Sequence, residues 1–116
     1  MKRLRNHHIG IDQGSVVMFS HFENDGKMWS GNGSRMRRRK VKFAEPFRAP
    51  PMVHVGLSMW DTDCMTNQRA DIVAEKITLD GFDLVFRTWN DSRVARVRAD
   101  WMAIGELRHA DDWDLY

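Results

Sequence analysis

The sequence predicts an all-β protein in which six strands form two packed sheets or a small barrel. The first observation behind this prediction is the alternation of apolar and polar residues, the period of a half-buried strand, in residues 82–87 and again in residues 95–103. The second is that no helical period is sustained along the 116 residues. The third is that six strands of this length cannot cover their apolar faces in one open sheet.

The strands follow one another with short connections. The first is predicted to begin after Asp12-Gln13-Gly14, and a proline-rich corner at residues 46–51 separates the second from the third. Asp80-Gly81 predicts a hairpin turn, and the polar break Asn90-Asp91-Ser92 predicts a second hairpin, so that the last three strands form a meander. The predicted ranges are 15–22, 38–44, 52–60, 70–79, 81–89 and 93–104.

Two further expectations concern side-chain direction. In the third strand Val53, Val55, Leu57 and Met59 are predicted to face the core, because side chains alternate across a strand. Residues 23–34 predict a loop, since they are dense in Gly, Asn, Asp and Ser. Trp29 in that loop is either an anchor on the core or a contact residue, and the anchor is favoured.

Length and composition predict a single folded domain. The chain has 116 residues, of which 42% are hydrophobic and 29% charged. We expect a basic leader at residues 1–8, the folded domain at 9–105 and an acidic tail at 106–116. No apolar run is long enough for a membrane span, and residues 1–6 lack the apolar stretch of a signal peptide.

The basic run at residues 35–43 allows two interpretations. Clustered Lys and Arg could contact phosphate groups of a nucleic acid. The run also alternates as a strand with charged edges, and it has no interleaved aromatic residues on which bases could stack. Because the net charge is only +2, the strand interpretation is favoured and no nucleic-acid partner is expected.

No enzymatic activity, metal site or cofactor is expected. The sequence has no nucleophile elbow, phosphate-binding glycine loop or zinc-protease motif. Asp61 and Asp63 suit loop capping better than paired acid catalysis. His7 and His8 point apart on a strand without a third ligand nearby, so a surface role is favoured over a metal role. Cys64, the only cysteine, has no partner for a disulfide.

Polar and aromatic residues at the predicted strand ends indicate a binding site. Asn67, Arg69, Trp89 and Asn90 lie at such ends, and the loop Gly31-Asn32-Gly33 is available to join them. Planar amide and guanidinium groups hydrogen-bond sugar hydroxyls with fixed geometry. A flat indole ring such as that of Trp89 suits the apolar face of a sugar.

The same residues have structural alternatives. Arg69 could form an ion pair with Asp71 or Asp91, and Trp89 could be an aromatic residue on the rim of the core. Composition by itself does not choose between these roles and sugar binding.

A set of residues at particular spacings between about 36 and 105 resembles the pattern of a known family, and this resemblance bears on the interpretation as a binding site. The set is Phe43-x-x-Pro46-Phe47-x-x-Pro50-Pro51-x-Val53, Asn67-x-Arg69, Gly81-Phe82, Thr88-Trp89, Val94 and Trp101. In this set the chain resembles the H-type lectin family. The resemblance implies a six-stranded antiparallel β-sandwich that assembles as a homotrimer, or as a hexamer built from it. It also implies sites for galactose or N-acetylgalactosamine at the subunit boundaries.

The resemblance further assigns roles to single residues. Arg69 matches the family's sugar-binding arginine, and Asn67 matches the asparagine two positions before it. Trp89 matches the tryptophan that a neighbouring subunit contributes.

Other positions depart from the family pattern. Asn90 stands where a snail member has a histidine that helps to hold the sugar, and Ala95 stands where it has a tyrosine. Asn32 stands where an acidic residue usually binds two hydroxyls, and Asp25 could supply that charge if the loop is laid differently.

Together with these residues, the resemblance implies a non-enzymatic homotrimeric lectin that binds a cell-surface glycan or polysaccharide and serves adhesion. The alternative is a structural or adhesion module of a phage-like or secreted particle, in which sugar binding is secondary or lost. Either role would place the protein outside the cell, at a cell surface or on such a particle, without a recognisable signal peptide.

Overall fold

The computed structural model describes residues 1–5, 8–20 and 27–108, and these form two three-stranded antiparallel sheets. The first sheet has the order β1 (Ile9–Ser20), β6 (Val94–Glu106) and β3 (Met52–Thr62). The second has the order β2 (Arg35–Lys42), β5 (Gly81–Thr88) and β4 (Asp71–Glu75). A four-residue helix, α1 (Lys27–Ser30), precedes β2. The predicted six-stranded antiparallel β-sandwich is therefore confirmed.

The core lies between the central strands of the two sheets, β5 and β6. Along β6 the apolar side chains are buried at alternate positions, as the period of two predicts, whereas residues 82–86 of β5 are buried on both faces. The ring centroids of Phe82 and Trp101 are 5.5 Å apart in an edge-on arrangement that joins the two sheets. The buried apolar side chains of these two strands are Phe82, Leu84, Val85, Phe86, Val94, Ala95, Val97, Ala99, Trp101 and Ala103, of which Val85 lies on the outer face opposite Arg38.

The observed connections between strands differ from the two expected hairpins. β4 and β5 do pair, but Glu75 is opposite Asp83, so residues 76–80 form the connection and Gly81 already belongs to β5. The predicted pairing of β5 with β6 is wrong, because these strands lie in different sheets. The break at residues 90–92 thus carries the chain from one sheet to the other.

The predicted inward direction of Met59 is also wrong. The pairing of β3 with β6 shifts between Leu57 and Met59, so Met59 is opposite Arg98 on the outer face. The same bulge places Trp60 opposite Val97, on the inner face of the sheet. Trp60 remains 57% exposed because β3 is an edge strand and the sandwich is open there.

Several expectations fall at or beyond the limits of the described residues. In the loop before β2, Met28 is fully buried while Trp29 is only half-buried, so the main anchor is the neighbour of the expected one. His7, Asp25 and residues 109–116 of the expected tail lie outside the described residues. The division into leader, domain and tail stays a prediction.

Candidate functional site

The candidate site lies at one end of the sandwich, where three connecting segments meet. The turn at residues 89–92 is hydrogen-bonded to a loop on each side. The amide of Gly33 donates to the carbonyl oxygen of Asn90 at 3.0 Å. The Ser92 hydroxyl donates to the carbonyl oxygen of Asn67 at 2.5 Å. We call the region formed by residues 31–35, 66–70 and 88–92 the loop end.

The backbone of Asn90 allows the turn to cross between the sheets. Its φ of +57° lies in the left-handed region, which asparagine adopts more readily than most residues. Its carbonyl oxygen accepts hydrogen bonds from Gly33 N and from Arg35 Nη2, each at 3.0 Å. The backbone of Asn90 is thus held in place while its side chain is exposed.

Arg35 ties together the segments around this turn. Its side chain is buried, and its guanidinium donates to three carbonyl oxygens at 3.0 Å each: Nη1 to Met28, Nε to Gly33 and Nη2 to Asn90. These carbonyls belong to α1, to the loop before β2 and to the turn. Burial lowers the pKa of the Arg35 guanidinium from its ordinary value. One buried side chain therefore fixes the positions of three segments.

Arg69 is held on one side and open on the other. Its Nη1 donates to Asp91 Oδ1 at 2.5 Å and lies 3.5 Å from Ser92 Oγ. The ion pair with Asp91 is one of the two structural alternatives that the sequence left open. Within the described part of the chain, Nε and Nη2 of Arg69 have no hydrogen-bond partner. Its side chain is 25% exposed, so these donors can reach a ligand.

Asp91 orients Arg69 and is itself stabilised as an anion. The hydrogen bond from Arg69 lowers the pKa of the Asp91 carboxyl most, and the backbone amides of Asp91 and Asn67 add to this effect, while partial burial opposes it. The carboxylate thus connects Asn67 with Arg69 at the loop end.

The other expected site residues are placed as follows. Asn67 and Arg69 adjoin the turn on one side, since the Thr88 hydroxyl donates to the Arg69 carbonyl oxygen at 2.5 Å. Asn32 adjoins Asn90 on the other side, and its Oδ1 accepts from the amide of Gly33 at 2.9 Å.

Trp89 does not line the same cavity as Arg69 within one chain. It is 39% exposed and lines a cavity of about 270 Å³ together with Met36 and Arg87. Arg69 lines a different cavity, of about 260 Å³, together with Trp60. A single chain therefore presents the arginine and the tryptophan in different cavities.

Sequence reasoning missed Arg35 and Trp60. Arg35 is the first residue of the basic run, and its neighbours in the sequence do not indicate that it is buried. One of its hydrogen-bond partners, Asn90, is 55 positions away. Trp60 had a usable signal, since a large aromatic residue stands at the end of β3 directly before a polar loop.

Part of the basic run is neutralised across the strands, as the strand interpretation expects. Arg38 Nη1 lies 2.8 Å from Asp83 Oδ2, and Arg38 Nη2 lies 2.9 Å from Glu75 Oε1. The hydrogen bond with Glu75, followed by that with Asp83, raises the pKa of Arg38. On β6, Arg96 pairs in the same way with Asp61 at 2.9 Å.

Neither a metal cluster nor a membrane helix occurs among the described residues. Within them, no group of three or more His, Cys, Asp or Glu side chains is arranged to hold a metal ion. No helix in the same residues has the length and hydropathy needed to cross a membrane.

A two-sheet β-sandwich with polar loops gathered at one end defines a class of small binding proteins, in which a rigid frame presents ligand-binding loops. A family model described as the H-type lectin domain matches residues 38–104. The chain belongs to the H-type lectin domain family. Carbohydrate binding is the class of function that this family defines, and family and fold together favour a binding protein over an enzyme.

Relatives and solved structures agree with this assignment. The protein named ATP synthase subunits region ORF 7 of Fuscovulum blasticum is 56% identical over 107 residues, which cover 92% of this chain and 93% of that protein. Discoidin-2 of Dictyostelium discoideum is 37% identical over 81 residues, covering 69% of this chain and 32% of that protein. The structure of recombinant discoidin II of the same organism has a TM-score of 0.72 at 30% identity, covering 94% of this chain and 40% of that one. The chain spans less than half the length of these discoidins.

Proposed function

We propose that the protein is a homotrimeric lectin that binds galactose or N-acetylgalactosamine-type residues of cell-surface glycans at its subunit boundaries. The observation that carries this proposal is the state of Arg69. Its guanidinium is fixed by Asp91 through one nitrogen, while Nε and Nη2 have no partner among the described residues. Such a pair of fixed, open donors fits two vicinal sugar hydroxyls. Asn67, exposed on the same segment, adds an amide with both a donor and an acceptor.

The separate position of Trp89 supports a site shared between subunits. An exposed indole beside Met36 can form the apolar wall for a sugar that a neighbouring chain holds through Arg69 and Asn67. Asn90, exposed on the same turn as Trp89, would contribute a polar group. Asn32 would contribute a neutral amide where the family usually has an acid, and Asp25 belongs to the same proposal as the other source of that charge.

Exposed apolar residues on the outer face of the first sheet support self-association. Ile11 and Met52 both pair with Ile104, so the three side chains form a row across β1, β6 and β3. Ile11 is 68% exposed and Met52 is 41% exposed. A contiguous apolar surface of this kind is typical of a protein interface. We assign it to the contact between copies of the chain.

A trimer would also offset weak single sites. An open site with a few hydrogen bonds typically binds with a dissociation constant on the order of millimolar to tens of micromolar. Three sites presented on one particle raise the avidity for a repeating glycan by about a hundredfold or more.

The test is a glycan array on the full chain, followed by titration calorimetry with the sugars that bind. We expect galactose-type hits, and we expect Arg69→Ala to lower the affinity at least about tenfold, since it removes all the guanidinium donors. Arg93→Ala is the matched control, because Arg93 is an exposed arginine outside the set of candidate sugar contacts. Full binding by Arg69→Ala would place the site elsewhere.

One observation favours the alternative function, a structural or adhesion module of a phage-like or secreted particle. The side chain at position 32 is a neutral amide whose oxygen is already engaged by the amide of Gly33. A trimer without any glycan hits on the array would support this module and contradict the lectin. In both cases we propose that the protein acts outside the cell, at a cell surface or on a particle.

A further inference from the structure

A cavity of about 260 Å³ opens beside the loop end, between the edges of the two sheets. Its floor consists of core residues from both sheets, among them Leu57, Phe86 and Val97. Trp60 and Thr62 line it from the end of β3, and Gln68 and Arg69 line it from the loop before β4. The cavity has room for several water molecules, each of which occupies about 30 Å³ in the liquid.

The cavity exists because of two local features of the edge strands. β4 begins only at Asp71, so the far end of β3 faces the loop at residues 66–70 instead of a strand. The bulge at Ser58 then turns Trp60 toward this gap instead of toward the outer face. Trp60 nevertheless stays 57% exposed, which leaves a large part of the indole surface in water.

We propose that this cavity is a second subsite of the glycan site and receives the group attached to the sugar that Arg69 holds. That group is a second sugar ring or an apolar aglycone. The inference rests on the proposed function, because Arg69 belongs both to the proposed sugar site and to the lining of the cavity. Its guanidinium reaches Asp91 at the loop end while the residue lines the cavity.

The chemistry of the lining selects this occupant. A flat, exposed indole stacks on the apolar face of a ring, and it does so best when the rest of the wall is also apolar. Thr62 and Gln68 supply a hydroxyl and an amide for the polar edge of such a ring. Apolar walls with a few polar groups are typical of ligand pockets.

The test compares the affinities of methyl and phenyl galactosides, each as both anomers, by titration calorimetry on the full chain. The phenyl group is the probe for the cavity, and the methyl group is too small to reach across it. We expect one phenyl anomer to bind about two- to twelvefold more tightly than its methyl counterpart, the usual range for one aromatic contact. Trp60→Ala should reduce this ratio to about one.

Two further measurements make the result specific. Met65→Ala, at an exposed position that does not line the cavity, should keep the wild-type ratio. Light scattering should give Trp60→Ala the wild-type mass. A change of mass would show that a second copy of the chain covers Trp60, and it would overturn the subsite.

Failure of the subsite is distinguishable from failure of the proposed function. If methyl galactosides bind but the phenyl-to-methyl ratio is about one, or if the ratio survives in Trp60→Ala, only the subsite is overturned. If neither glycoside binds the wild-type chain, N-acetylgalactosamine does not bind it either, and both variants stay folded, the proposed function and the subsite are overturned together.

Discussion

Asp91 and Arg69 show how one ion pair can serve both folding and binding. The carboxylate removes one nitrogen of the guanidinium from competition and fixes the plane in which the other donors lie. Without it, a long and partly exposed arginine would sample several rotamers, and ordering it would cost binding free energy. Asp91 is therefore a positioning residue for Arg69.

The ion pair predicts an acid-dependent part of the stability. Because the folded-state pKa of Asp91 lies below its value in the unfolded chain, its contribution is fully present above about pH 4 to 5 and is lost as the pH falls through the lowered pKa. We expect the wild type to have a higher Tm than Asp91→Asn at pH 7. The difference should shrink progressively below about pH 4, as thermal unfolding across this pH range would measure.

The control for this prediction is Asp80→Asn. In the described part of the chain the Asp80 carboxylate forms no ion pair. The difference in Tm between the wild type and Asp80→Asn should therefore contain no contribution from an ion pair with Arg69. A difference between the wild type and Asp91→Asn that stays constant down to pH 2 would contradict the role given to the ion pair.

At the scale of residues, the sequence predicts chemistry better than position. The polar side chains of Asn67, Arg69 and Asn90 indicated a polar site, and these three residues do lie around one turn. The sequence could not choose between Asp71 and Asp91 as the partner of Arg69, because that depends on how the turn crosses the sheets. Nor could it show the burial of Arg35, whose carbonyl partners come from separate segments.

At the scale of elements, alternation predicts strands but not their partners. The strands β5 and β6 have the pattern expected of a hairpin, yet they lie in different sheets. The two arrangements bury the same residues, so a pattern of burial along each strand cannot distinguish them. The missing information is the left-handed turn at Asn90 and the bonds that hold it.

The early start of β1 was hidden for a different reason. Gly10 and Gly14 interrupt the apolar alternation, which made residues 9–14 resemble a loop. A Cβ at Gly14 would lie 2.7 Å from Trp101 Nε1, so a side chain there would collide with the indole. The glycine belongs to the strand because a large residue on β6 fills its place.

Gly81 gives a stability prediction for the pairing of β2 with β5. A Cβ at this position would overlap the carbonyl oxygen of Val41, a backbone atom that cannot move without breaking the strand pair. We expect Gly81→Ala to lower the free energy of unfolding by about 2–4 kcal/mol, as measured by urea denaturation.

Gly56 is the matched control, because it is also a strand glycine but has open space around its Cβ position. We expect Gly56→Ala to be neutral or to stabilise by about 0.4–1 kcal/mol, since alanine restricts the unfolded chain. Equal effects of the two substitutions would contradict the close approach of β5 to β2.

At the scale of the whole molecule, the two outer faces differ in how they meet the solvent. On the second sheet, Arg38 and Arg87 both pair with Glu75, and fully buried Val85 lies between the arginines on the same face. The first sheet instead leaves Ile11 and Met52 exposed on either side of Ile104. The first sheet thus keeps an apolar row suited to self-association at one end of its outer face, while the ion pair Arg96–Asp61 lies farther along the same face.

This difference predicts which face forms the trimer. Ile11 is 68% exposed in the single chain, so Ile11→Lys should change the free energy of folding of that chain by no more than about 0.5 kcal/mol. In an interface the same lysine would be desolvated in three copies, and we expect the mass from light scattering to fall from three chains to one. Met65→Lys, at a loop position that is 85% exposed, should keep the wild-type mass. A trimer of Ile11→Lys would place the interface elsewhere, and a monomeric wild type would exclude the shared site.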